Sequence, residues 1–306
     1  MDDSRDKDDS GLSLGSGATS LGDLYFLMDR DPRTSSRPLV MVLHGALRHS
    51  ENTQAWFPLL SDRFDVIFVD LPGHGHSPSD GEPSIPAFTE RFREFLLRHF
   101  ARRDVVIVGE SVGGLIGLGV ADGRTPCVRG VIAADPPFST AKQWPIYSNF
   151  VHRATTRPIG DYLMALFANA FGYTLEGLIG DRIYYSVLAH VRVPALILTG
   201  TLPLFPVRPQ QTIPCLLDDV DKAMIRAMKN PHLTLSIIPG AGHLCLDVTF
   251  PEARTAVSDF CAARLLQPAA LQAERLANST LDSSSQSEVT AQCVHAPMRP
   301  NLKLSA

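Results

Sequence analysis

Seven short apolar runs recur along the chain, at 24–28, 38–43, 64–69, 105–108, 128–134, 194–200 and 233–238. Most are continuously apolar rather than alternating, the pattern of strands covered on both faces. Between them apolar residues return with a helical period. The clearest case has Ser84 as N-cap and Pro86 in the first turn, followed by Ile85, Phe88, Phe92, Phe95 and Leu96 on one stripe. Its Arg91, Arg93, Glu94 and Arg98 are expected to form a solvated face. Further helices are expected around Trp56, Phe57, Leu59 and Leu60, over 112–121 up to the stop at Gly123, and from Pro251 through Val257 and Cys261. Strands alternating with helices predict an α/β domain built on a mostly parallel sheet.

The periodicity changes between 139 and 190. Trp144, Tyr147, Phe150, Tyr162, Leu163, Leu166, Phe167 and Phe171 fall in aromatic-rich helical segments without sheet character, read as a cap inserted over the sheet. At the ends the pattern fades altogether. Residues 1–22 are acidic and rich in Ser and Gly, and 267–306 are rich in Ser, Gln and Pro, apart from one expected helical turn around 270–277. Neither end holds enough large apolar side chains to offset the entropy of ordering, so both are expected to be mobile tails around a domain at 23–266.

Composition narrows the function classes. The formal net charge is −4, with 28 Lys+Arg against 32 Asp+Glu and no basic cluster, so no nucleic-acid partner is expected. No apolar stretch approaches the roughly 20 residues of a membrane span, and the first residues lack a signal-peptide pattern. The five cysteines are scattered without C-x-x-C spacing, which suits a reducing compartment and offers no metal framework. A cytoplasmic location is the expectation, and the sequon at Asn278 is read as a chance match. Oligomeric state is not legible.

The chemistry concentrates at Gly109-Glu110-Ser111-Val112-Gly113, a G-x-S-x-G sequence between an expected strand and an expected helix. That context is the nucleophile elbow, in which a sharp turn holds a serine hydroxyl out and glycines let strand and helix pass closely. A serine attacks a carbonyl well only with a base to take its proton and donors for the oxyanion. His243, in the loop after the last strand, stands at the same sheet edge as Ser111. The backbone N–H groups of Val112 and of Ala46 are the expected oxyanion donors. Glu110 is expected to point away from Ser111.

The order Leu43-His44-Gly45-Ala46, Asp70-Leu71-Pro72-Gly73-His74-Gly75-His76-Ser77, Gly109 to Gly114 and Pro239-Gly240-Ala241-Gly242-His243 resembles the α/β-hydrolase superfamily over about 23–266. The resemblance implies a three-layer, mostly parallel eight-stranded sheet with a helical cap between the sixth and seventh strands. It also implies a serine nucleophile at Ser111 and a histidine base at His243. The acid departs from the common pattern, because Gly200 is followed by Thr201-Leu202-Pro203 rather than by an aspartate. Asp135, after the sixth strand, is the favoured acid, and Asp218 and Asp219 are the alternatives.

Other conspicuous residues carry less. His74-Gly75-His76 lacks the acid of an H-x-H-x-D metal motif, since position 78 is proline, and reads as a turn. Gly117-Leu118-Gly119 lacks the third glycine of a dinucleotide fingerprint. No metal or cofactor is expected. The expected activity is that of a carboxylesterase-like serine hydrolase acting on an ester or thioester of a small apolar molecule. The alternatives are an inactive ligand-binding protein of the same fold, or an acyltransferase using the same nucleophile.

Overall fold

The computed structural model describes residues 11–140, 144–156, 159–177, 180–203 and 213–266. The expected C-terminal tail and its helical turn lie outside them. Eight strands make one sheet: β1 (Ser13–Gly17), β2 (Leu24–Met28), β3 (Leu39–Leu43), β4 (Asp65–Val69), β5 (Val105–Glu110), β6 (Val128–Ala134), β7 (Ala195–Gly200) and β8 (Leu233–Ile238). Their order is β1-β2-β4-β3-β5-β6-β7-β8. The β1–β2 and β2–β4 pairs are antiparallel and the remaining pairs parallel.

Alternation along each strand divides the core into two layers. Leu39, Met41 and Leu43 face one side with Val105 and Ile107, packed on Phe88, Phe92 and Leu115 of helices α2 (Ile85–His99) and α3 (Val112–Val120). Val40, Val42, Val106 and Val108 face the other, packed on Trp56, Leu60, Val257 and Cys261. The short helix α1 (Phe57–Leu60) and the last helix α8 (Pro251–Leu265) supply most of that second layer. Continuous apolar strands are what two covered faces require.

One strand comes from the stretch expected to be a mobile tail. Residues 13–17 pair with β2 in register from Ser13 opposite Met28 to Gly17 opposite Leu24. The Gly and Ser content that suggested disorder is here a packing requirement. A Cβ on Gly15 would lie 2.8 Å from the end of Met28, and one on Gly17 2.4 Å from the Phe95 ring. The rest of the expected tail up to residue 10 lies outside the described residues.

The solvated face expected of α2 is also corrected. Arg91 is buried and reaches Asp80 at 2.7 Å and the Asp23 carbonyl at 2.7 Å. Arg93 is buried against Asp122 at 2.9 Å and the Gly119 carbonyl at 3.0 Å. Arg98 and Glu94 pair near the surface, at 2.6 Å. The helix start matches expectation, with Ser84 accepting from the Ala87 N–H.

The 139–190 segment holds α4 (Trp144–Thr156), α5 (Asp161–Phe171) and α6 (Ser186–His190). Its two ends are tied together where the Tyr184 N–H donates to the Phe138 carbonyl at 2.8 Å and the Thr140 N–H to that of Arg182 at 3.0 Å. Phe150 stacks on Phe167 at 4.3 Å between centroids, and Phe167 on Phe171 at 5.1 Å. A further helix, α7 (Asp219–Ala227), precedes β8. No helix among the described residues is long and apolar enough to cross a membrane.

Candidate active site

The turn from β5 into α3 forces Ser111 to φ +54°, a conformation rare for a residue with a side chain. The flanking glycines are required by close approach. A Cβ on Gly109 would sit 2.3 Å from the Gly113 carbonyl oxygen, and one on Gly113 would sit 2.7 and 2.8 Å from those of Leu43 and His44. These are backbone atoms and cannot rotate away. Gly113→Ala is therefore expected to destabilise the fold by about 3 kcal/mol or more, at the far end of overpacking costs. Chemical denaturation with an unchanged m-value checks this; a shift under about 1 kcal/mol contradicts it.

The Ser111 side chain does not cap α3. It opens instead into a pocket of about 200 Å³ lined by Gly45, Ala46, Glu110, His243 and the three stacked phenylalanines among others. Leu47 at φ +60°, Ser111 and Asp135 at φ +44° make up three of the four described non-glycine residues with positive φ. Backbone strain of this kind collects at functional sites, held in place by the surrounding fold.

His243 lies in the loop after β8, its N–H bonded to the Ile213 carbonyl at 3.0 Å. Its Nδ1 is 2.8 Å from Oδ2 of Asp135, and both residues are buried. A carboxylate only accepts, so the imidazole proton sits on Nδ1 and Nε2 carries the lone pair. Asp135 also accepts from the Thr199 hydroxyl at 2.7 Å and from the N–H groups of Leu216 and Leu217 at 2.7 and 3.2 Å. Thr199 and the 216–217 backbone escaped the sequence reading. The one available signal was a hydroxyl at the end of the strand next to β6.

The alternative acids are engaged elsewhere. Asp218 caps α7, accepting from Val220 and Asp221 N–H groups at 3.0 Å each. Asp219 stands fully in solvent, 3.5 Å from Lys222. Ala46 lines the pocket, and its neighbour Gly45 packs so closely on Ser111 that a Cβ there would be 3.3 Å from the serine's own. Val112 follows Ser111 as the first residue of α3.

Two buried histidines bracket the Ala46 loop. His44 donates from Nδ1 to the Gly45 carbonyl at 2.7 Å and accepts at Nε2 from the Leu71 N–H at 3.0 Å. His74 accepts at Nε2 from the Leu47 N–H at 3.2 Å, with Nδ1 toward the Pro72 carbonyl at 3.0 Å. Burial pushes His44 well below the ordinary imidazole range, with His74 adding to the effect, and burial lowers His74 as well. Both rings thus stay neutral and keep the accepting nitrogen that each bracket needs. Among the described residues no cluster of three or more metal-ligating side chains forms.

Glu110 does not turn away from the site. It is buried in the same pocket and 3.2 Å from Arg48, a partner 62 residues distant in sequence. Burial pushes its carboxyl pKa up, opposed by Arg48 and by His243. An acid held higher when folded binds protons more tightly in the folded state, so stability falls as pH rises from the ordinary carboxylate range through the raised value. Glu110→Gln removes that contribution. Its melting temperature relative to wild type is expected to improve as pH rises above the ordinary glutamate range; a difference that stays flat or worsens contradicts this.

A serine on a strained strand-to-helix turn, a histidine in the same pocket backed by a buried aspartate, and a mostly parallel sheet with helices on both faces define an α/β-hydrolase. The chain belongs to the alpha/beta hydrolase family, whose model matches residues 39–258. Among curated proteins it is 33% identical over 162 residues to a pimeloyl-[acyl-carrier protein] methyl ester esterase of Stenotrophomonas maltophilia, covering 52% of this chain and 56% of that one. It is 31% identical over 108 residues to the protein of the same name in Yersinia pseudotuberculosis, covering 35% and 40%. The chain spans about half the length of the curated relatives it matches.

Solved structures share the fold. One is a lipase-like protein from Acinetobacter baumannii, with TM-score 0.62 and 17% identity over 84% of this chain and 94% of that one. Another is E-2-(acetamidomethylene)succinate hydrolase, with TM-score 0.57 and 22% identity over 81% and 98%.

Proposed function

We propose that this protein is a serine hydrolase cleaving an ester or thioester of a small, largely apolar molecule through an acyl-serine intermediate. The observation that carries the reading is the 2.8 Å bond to the buried Asp135 from Nδ1 of His243, which lines the same pocket as Ser111. Oγ of Ser111 attacks the carbonyl carbon while Nε2 of His243 takes its proton. The N–H groups of Val112 and Ala46 hold the oxyanion. Collapse expels the alcohol or thiol, which receives the proton from His243. Water then enters by the same route and releases the acid, restoring Ser111.

The stacked Phe150, Phe167 and Phe171 favour an apolar group next to the reacting carbonyl. Methyl ester cleavage in the name of the curated relatives points the same way, toward an ester. The inactive ligand-binding reading rests on the absent acid after Gly200. The Asp135–His243 contact supports an acid placed after another strand and weighs against that reading. A panel of short-chain methyl and aryl esters tests the proposal by acid and alcohol release. Adding competing alcohols and thiols separates hydrolysis, in which free acid predominates, from acyl transfer, in which new esters accumulate.

A further inference from the structure

Two arginines line the pocket that holds Ser111, and only one of them is matched by an acid. Arg48 is neutralised by the buried Glu110 carboxylate at 3.2 Å. Arg153, on α4, donates to the Leu47 carbonyl at 3.4 Å, and among the described residues no carboxylate lies within ion-pair distance of it. It stands next to the wall of stacked phenylalanines, in a pocket whose other side chains, Arg48, Glu110, Ser111 and His243 apart, are apolar.

The described parts of the two flanking stretches carry no acid: α4, which supplies Phe150 and Arg153, and residues 213–217, which supply Ile213 and Leu216, contain no Asp or Glu. With Arg48 and Glu110 paired, Arg153 is the unmatched charge among the side chains lining the pocket and gives that wall a local positive potential. Such a potential concentrates anions and repels cations. An unmatched guanidinium is the natural partner of a carboxylate, which it binds by paired, charge-assisted hydrogen bonds.

We propose that the substrate of this site carries a carboxylate in addition to the ester to be cleaved, and that Arg153 binds it. The inference rests on the ester-hydrolase reading above and narrows its substrate class to charged monoesters with a short apolar spacer. Water enters and an alcohol leaves, so that a half-ester of a dicarboxylic acid becomes the diacid. When the carboxylate sits on the alcohol half, a hydroxy acid is released instead. Pocket volume agrees with a small molecule, since about 200 Å³ is below the roughly 300 Å³ at which drug-sized sites begin.

The test compares kcat/KM of the full chain on matched pairs. One pair is monomethyl and dimethyl glutarate, with the carboxylate on the acyl half. The other is acetylglycolic acid and its methyl ester, with the carboxylate on the alcohol half. In at least one pair the charged ester is expected to be favoured about fivefold or more, the upper end of an exposed ion pair. The ratio is expected to fall to about one in Arg153→Gln, to be largely restored in Arg153→Lys, and to shrink as salt is raised from about 0.05 to 0.5 M. A ratio near one in both pairs for wild type, or a preference that survives Arg153→Gln, overturns the inference alone. Absence of turnover on every ester, charged or neutral, overturns the hydrolase reading and this inference with it.

Discussion

Ser111→Ala is expected to lower ester turnover by about 10⁶-fold, the scale seen when the nucleophile of a serine hydrolase is removed. The fold should be untouched by the change. Alanine keeps the Cβ that the +54° turn already accommodates, and the lost hydroxyl does not cap α3. The buried neighbours Gly109 and Gly113, on which the turn depends, are unaltered. Stability is therefore expected to stay within about 0.5 kcal/mol of wild type. Any remaining rate over water is expected to come from the proposed Val112 and Ala46 donors and from substrate binding. A variant that unfolds, or one that keeps a tenth of the wild-type rate, contradicts the assignment.

Asp135→Asn is expected to cost about 10⁴ in turnover. The carboxylate accepts from His243, Thr199, Leu216 and Leu217 together. An amide offers one accepting oxygen and turns an N–H₂ group toward the rest. If the oxygen takes the Oδ1 place, beside Thr199 and the Leu217 N–H, the N–H₂ group meets both His243 and the Leu216 N–H, moving the imidazole proton to Nε2, which removes the base. If it takes the Oδ2 place, His243 and the Leu216 N–H keep their acceptor and the Leu217 N–H loses its own, at about 1–3 kcal/mol of stability. Activity and unfolding measured together distinguish the two orientations. Asp218→Asn should retain activity, because asparagine caps a helix about as well as aspartate. Asp219→Asn changes a solvent-exposed group and should retain it too. If turnover collapses in either of these and survives in Asp135→Asn, the acid has been placed wrongly.

The parts of the fold readable from sequence were those written as continuous apolar runs or as tight motifs. Seven strands announce themselves because both faces of the sheet are covered, and the elbow because glycine is the one residue its backbone contacts admit. β1 was hidden because Gly15 and Gly17 yield their space to Met28, Phe26 and Phe95. The compactness of the neighbours made the strand look like a linker. Arg91 and Arg93 were misread because periodicity reports which face a residue takes and says nothing of an acid waiting there. Asp80 and Asp122 come from loops outside the helix. The same limit applied to Glu110, whose orientation follows from Arg48 in a distant loop. Asp135 follows from the family resemblance, and of the further donors that hold it the Leu216 and Leu217 N–H groups depend on how the 213–217 stretch folds back to it, which no local pattern encodes.

A fluorophosphonate probe puts the central claim to the shortest test, because it reacts with a serine only when a base and an oxyanion hole are already assembled around it. Intact-mass analysis of the folded chain should show one adduct, mapped to Ser111, and none on Ser111→Ala. Failure of well-folded wild-type protein to take up the label, or an adduct on another residue, would contradict the account.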